Sequence, residues 1–257
     1  MNYEFSLHSD VGIKKDTNQD SLCLKQAQTD KGNILLAIVC DGMGGLEKGE
    51  VASATLIKTF SEWFENELPY LLAKDNSFDE IRYRWDRIIK EQNQIIGEYG
   101  RENHIALGTT ISALLILEDG KYLIGHVGDS RIYRITNETS EVITLDQTVV
   151  ANEVRHGRLT PEQAERDPRR NVLLQCIGAS KIVEPDFITG QVNSNECYML
   201  CSDGFRHVVT ADEIKAAFAP SNNMNEMQMN KNIVKLIELN KAREETDNIS
   251  VILIKTV

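Results

Sequence analysis

The chain has 257 residues, 41% hydrophobic and 26% charged, a composition that suits one large domain or two small ones with a sizeable core. Its net charge of −11 and pI of about 5.0 argue against nucleic acid as a partner, since such binding leans on clustered Lys and Arg. The longest apolar run, residues 34–40, is far too short to span a bilayer, and the N-terminal decapeptide has no signal or transit pattern, so a cytoplasmic, membrane-free location is expected.

Residues 3–12 and 20–28 alternate as strands, and 33–40 form a continuous apolar run, as in a strand buried on both faces. Two amphipathic helices follow, at about 47–68 and 78–99, with apolar residues at a 3.6-residue period. The loop with Pro69 and Asn76 folds them into an antiparallel pair, and Trp63 and Trp85 read as core. A meander comes next, with strands at 109–117, 121–127, 131–135 and 141–145 and an Asp119-Gly120 hairpin turn.

Residues 147–185 are polar and carry Arg155, Arg158, Arg166, Arg169 and Arg170. They read as an insert or flap holding one short helix, opened by Thr160 with Pro161 and Gln163 as a capping box. The arginines fit either a solvated face or a docking patch for an anionic substrate. Residues 197–201 form a buried strand, and Thr210 and Glu213 cap a helix running to about 219. A further helix covers about 228–242 and a last strand covers 249–255. Strand runs interrupted by paired helices indicate an α+β fold with mostly antiparallel sheet, not alternating β-α units. The five cysteines contain no CxxC and read as buried free thiols. Cys197 and Cys201, four apart on a strand, share a face.

Five aspartates stand at ends of strand-like runs: Asp20, Asp41, Asp129, Asp203 and Asp247. Each also reads as an ordinary turn residue. Together they suggest a shared acidic site for a hard cation. Asp41 precedes Gly42, and Gly44 and Gly45 follow shortly after. A carboxylate beside an approachable backbone carbonyl is a natural oxygen-ligand set for Mg²⁺ or Mn²⁺. The five histidines show no zinc-ligand spacing, and there is no dinucleotide, Walker or GxSxG motif.

The ordered stretches SDVGIKKDTNQDSL, VCDGMGG, GTTISALLI, GHVGDSRIYRI, TLDQ, RRNVLLQCIG, YMLCSDGF and TDNISVILI span residues 9–255. In this order they resemble the metal-dependent serine/threonine protein phosphatases, the PPM or type 2C family, in its compact bacterial form. The resemblance implies one domain over 1–257: a four-layer α-β-β-α sandwich, two antiparallel sheets flanked by antiparallel helix pairs, with 147–185 as its flap. It implies hydrolysis of phosphoserine and phosphothreonine in proteins by a water bridging two Mg²⁺ or Mn²⁺ ions, opposing a bacterial serine/threonine kinase. Asp41 would bridge both ions, the Gly42 carbonyl would ligate the first, and Asp203 and Asp247 the second. Asp129, with Asp203, would hold a weaker third ion, and Asp20 would orient bound waters. Phosphorylated proteins and a cognate kinase are the implied partners, and a monomer is the default state.

Three positions depart from that pattern. Lys15 stands where the family usually has the arginine that grips the phosphate, so a point charge replaces a planar two-pronged donor. Gln19 replaces a common glutamate and could still reach the second ion through water. Met43 replaces the histidine that some eukaryotic members carry. Lys15 and Gln19 also fit an alternative, a catalytically weak or inactive relative that binds phosphoproteins as a regulatory module.

Overall fold

The structure, a computed structural model, describes residues 1–43, 48–74, 77–220 and 224–257. Gly44, Gly45 and Asn76, singled out above, lie outside the described residues. In chain order the strands are β1 (Tyr3–Asp10), β2 (Ser21–Thr29), β3 (Gly32–Cys40) and the short β4 (Gly42–Met43). Helices α1 (Gly49–Asn66), α2 (Leu68–Leu72) and α3 (Ser77–Asn103) follow, then β5 (Gly108–Thr109), β6 (Ile111–Ile116), β7 (Lys121–Val127), β8 (Arg131–Ile135) and β9 (Ser140–Val142). Next come α4 (Val149–Arg155), α5 (Pro161–Arg166), β10 (Asp186–Gln191) and β11 (Cys197–Cys201). The chain continues through α6 (Asp203–Arg206), α7 (Ala211–Phe218) and α8 (Glu226–Ala242) to β12 (Ile249–Thr256).

Two five-stranded sheets carry the fold, ordered β1-β12-β11-β8-β9 and β10-β7-β6-β3-β2, with every pairing antiparallel. Strand alternation sends successive side chains into different layers. From β3, Leu35, Ala37 and Val39 enter the core between the sheets, where they meet Tyr198, Leu200, Ile252 and Ile254. The intervening Ile34, Leu36, Ile38 and Cys40 enter a second core beneath α1 and α3. A third core packs Cys197, Met199 and Cys201 against Phe205, Phe218, Ile233 and Ile237 from α6, α7 and α8. Three apolar interlayers therefore define four layers, the sandwich that the resemblance implied.

Trp63, Trp85 and Phe60 are fully buried and pack edge to face, with Trp63 and Trp85 centroids 5.5 Å apart. Both capping boxes form, at Thr160 with Gln163 and at Thr210 with Glu213. The cysteines are free, all buried except the partly buried Cys176.

The structure adds elements that the pattern did not expose. Strand β10 lies on a sheet edge, so its half-exposed side chains give a weak apolar signal. Strand β9 ends at Val142 rather than Leu145, because residues 144–147 turn their polar groups onto β8 and the turn before it. Helix α4 has seven residues and α6 is a single turn, both too short for a period to show.

Residues 147–185 are tied down at both ends. Thr148 bridges Leu173, and Thr109 bridges Ile177. From α3, Asn93 accepts from the Gly178 N–H at 2.7 Å and donates to the Ser180 carbonyl at 3.0 Å. Asn93→Ala strips both partners from a buried site and should cost about 1–3 kcal/mol. Urea denaturation should show that loss, and hydrogen exchange should speed up first in residues 176–183. Unchanged exchange there would refute this anchoring role.

Candidate metal centre

Antiparallel pairing explains how distant aspartates meet. The end of one strand lies beside the start of its neighbour, so both ends present residues to one edge of the sandwich. Ser21, after Asp20, pairs with Cys40, before Asp41. Cys201 pairs with both Arg131 and Val251, which brings Asp203 beside the Asp129 turn and the Asp247 loop. Polar contacts then join the sheets across this edge. The Ser202 hydroxyl donates to Asp20 Oδ2 at 2.8 Å, and Thr110 and Ser130 hydroxyls lie 2.7 Å apart.

Asp41 has a fixed backbone. Its N–H donates to Thr110 Oγ1 at 3.0 Å, and its carbonyl accepts from the Thr110 N–H and the Thr109 hydroxyl. Burial pushes its carboxyl well above the usual range, reinforced by the charges of Asp20, Asp203, Asp129 and Asp247. Asp20 rises to about 7, chiefly through burial, although Ser250 and Ser202 hydrogen bonds oppose the shift. Asp129 also rises to about 7 through burial and the nearby Asp203, opposed mainly by Arg206. Asp203 is raised by burial and by Asp247, opposed chiefly by Arg206. The five aspartates thus face one acidic space.

This donor set suits a hard divalent cation. All its ligand atoms are oxygens, and Asp203 Oδ1 is buried without a partner. Among the described residues, however, no three His, Cys, Asp or Glu side chains already close around one point. The carboxylates border a common space without converging in it. Gly42 is constrained to glycine, since a Cβ there would sit 2.3 Å from the Gln19 carbonyl oxygen and 2.4 Å from that of Gly49.

Lys15 and Gln19 take unexpected positions. Lys15 Nζ lies 3.1 Å from Asp247 Oδ1, at a mouth where both side chains are about 40% exposed. With its amide turned so that nitrogen meets an acceptor and oxygen a donor, Gln19 donates to the Gly42 carbonyl at 3.2 Å and accepts from the Gly49 N–H at 3.1 Å. It thereby caps α1, whose own cap residue, Lys48, is left-handed and makes no side-chain cap bond. Both ends of the amide are then engaged by backbone groups.

Several residues that shape the site were not singled out from the sequence. Asn248 accepts from the Gln19 N–H and donates to the Val11 and Thr17 carbonyls, pinning the loop that carries Lys15. Glu245 Oε1 accepts from the N–H groups of Thr246 and Asp247, while His207 binds its other oxygen at 2.9 Å. Arg131 grips Asp146 with two bonds of 2.8 and 2.7 Å, and Arg206 joins them. The one available signal was adjacency to the aspartates: Asn248 and Glu245 flank Asp247, and Arg206 follows Asp203 by one turn.

Between this edge and residues 148–171 lies a cleft of about 840 Å³, lined by Asp129, Arg131, Asp203, Arg206, His207 and Arg170 among others. Of the flap arginines, Arg158 pairs with Glu153 and Arg169 with Asp167 at the exposed surface. Arg170 instead lines the cleft. The solvated-face reading therefore fits Arg158 and Arg169, and the docking reading has support only at Arg170.

A protein-family model described as Protein phosphatase 2C matches residues 12–238. Protein phosphatase PhpP of Streptococcus pneumoniae is 31% identical over 214 residues, 82% of each chain. Serine/threonine phosphatase stp of Listeria monocytogenes is 30% identical over 227 residues, 88% of this chain and 86% of that one. The solved structure of Stp1 from Staphylococcus aureus aligns with a TM-score of 0.85 at 30% identity, covering 100% of this chain and 96% of that one. The catalytic domain of the phosphatase PstP, solved in complex with two manganese ions, aligns at 0.78 with 27% identity over 98% and 97% of the chains. The match over most of the chain, together with the shared sandwich, shows that the protein belongs to the protein phosphatase 2C family.

Proposed function

We propose that the protein hydrolyses phosphoserine and phosphothreonine in proteins, using two Mg²⁺ or Mn²⁺ ions held by Asp41, the Gly42 carbonyl, Asp203 and Asp247. It would act as a single chain in a bacterial cytoplasm, opposing a serine/threonine kinase. The supporting observation is the group of mutually repelling buried carboxylates, with the unpartnered Asp203 Oδ1 among them. Bound divalent ions would neutralise the phosphoryl oxygens and acidify a water for attack.

The chain's own residues supply position and charge. Asp20, held by the Ser202 hydroxyl, presents a carboxyl that can accept a proton from water at the site. Lys15 is a cation at the mouth, beside Asp247. Its pair with Asp247 is exposed and so worth about 0–1 kcal/mol, which a phosphate or a divalent ion can readily displace. Residues 147–185 form the flap, and Arg170 is its contact with an incoming anionic segment. The Lys15–Asp247 pair also favours a second reading, a silent phosphoprotein-binding relative in which the ammonium blocks a ligand carboxylate.

Phosphate release from p-nitrophenyl phosphate and a phosphothreonine peptide decides between these readings. Turnover should require Mn²⁺ and stop with EDTA, and Asp41→Asn should reduce kcat by at least about 100-fold. Absence of Mn²⁺-dependent turnover would favour the silent relative, while full activity in Asp41→Asn would remove Asp41 from the site. Lys15→Arg should lower KM for the phosphopeptide, because a guanidinium binds phosphate with two parallel bonds. An unchanged or higher KM would show that Lys15 does not grip phosphate.

The raised Asp20 carboxyl has a linked effect on stability. Its folded value of about 7 lies above the unfolded value of about 3.9, so it costs chelator-treated protein stability as pH rises between the two. In EDTA, Asp20→Asn should therefore raise Tm at pH 8, and the gain should fade toward pH 5. A gain independent of pH would mean that Asp20 is not the strained group.

A further inference from the structure

We infer that Arg206 is a built-in cation that takes the place of an ion between Asp129 and Asp203, so that this chain binds two metals and not three. The inference rests on the two-metal reading above and concerns where the acidic space ends.

Arg206 stands at the end of α6, three residues after Asp203, with a side chain only 14% exposed. Its Nη2 donates to the Asp129 carbonyl at 3.0 Å and lies 3.9 Å from Asp129 Oδ2. The same nitrogen is 3.4 Å from Asp146 Oδ2. Asp146 is held by the two bonds from Arg131, and Arg131 also donates to the Tyr133 hydroxyl. One guanidinium nitrogen is thus held between Asp129 and the anchored Asp146 carboxylate, while Nε is buried without a partner. Arg206 is not a free side chain waiting in the cleft for a substrate.

Its charge is permanent, since a guanidinium keeps its proton in proteins. It offsets the Asp129 and Asp203 carboxylates together, the pair that would otherwise attract a cation into this corner. A divalent ion arriving there would meet a like charge and a carboxylate already partly neutralised. At Asp41 the largest effects are burial and its acidic neighbours, so that side of the space keeps its attraction for metal.

Counting bound Mn²⁺ by electron paramagnetic resonance, with no substrate present, tests this. Wild-type protein should bind two ions, and Asp129→Asn should leave that count at two. Arg206→Gln should open a third site, held at least about tenfold more tightly than any third ion on the wild type. Asp129→Asn in the Arg206→Gln background should abolish it, while Arg206→Lys, which keeps the charge, should remain at two. A third ion on wild-type protein that Asp129→Asn removes would overturn the inference. So would an Arg206→Gln protein, folded by circular dichroism, that stops at two. If Arg206→Gln does not fold, the wild-type and Asp129→Asn counts still decide. Wild-type protein that binds no Mn²⁺ overturns the metal reading and this inference with it, and is a separate result from a count of three.

Discussion

Crowded negative charge at one end of the sandwich is the constraint on which the rest of the structure depends. Two unit charges about 4 Å apart interact by about 4 kcal/mol even at an effective dielectric of about 20. Burial of carboxylates adds to that cost, as the raised Asp20, Asp41, Asp129 and Asp203 show. The opposing term is burial in three apolar interlayers, where each fully buried large side chain contributes about 1.5–3 kcal/mol. A small core could not hold such a cluster together. A four-layer fold can, and it spends the surplus at one edge.

How that edge is held matters as much as the charges. Neutral partners hold the residues there: Thr109 and Thr110 the Asp41 backbone, Ser202 the Asp20 carboxylate and Asn248 the Gln19 N–H. Permanent cations are kept to the rim. Lys15 sits at the exposed mouth, where it can be displaced, whereas the less exposed Arg131 and Arg206 are held against Asp146 and Asp129. The same kind of charge therefore serves two purposes, depending on burial. An exposed ammonium remains available to an anion, whereas a buried guanidinium becomes part of the wall.

The layers were legible in the sequence because burial writes itself as period. Residues 33–40 are apolar throughout because β3 is covered on both faces, and Trp63 and Trp85 fall on the 3.6-residue stripes that face each other in the core. Edge and short elements were not legible. Strand β10 is half-exposed, and α6 is a single turn that packs so closely on its neighbour that a Cβ at Gly204 would meet the Asn248 carbonyl oxygen at 2.2 Å. Gln19 shows the same limit. Its identity raised the question of a metal contact, but an uncapped helix start at Gly49 claimed its amide instead.

By itself, the sequence determined which residues could form an acidic oxygen-donor site: aspartates at strand ends, with glycines where the backbone must come close. It also set the layers, through alternation that side-chain burial enforces. Only the tertiary structure decided that the strand ends share one edge, because register is a property of pairs of strands and not of either one. It decided too that Arg206, an unremarked residue in SDGFRH, lies against Asp129, some 77 positions away in the chain. Charge placement across such distances is governed by packing, and local sequence does not encode it.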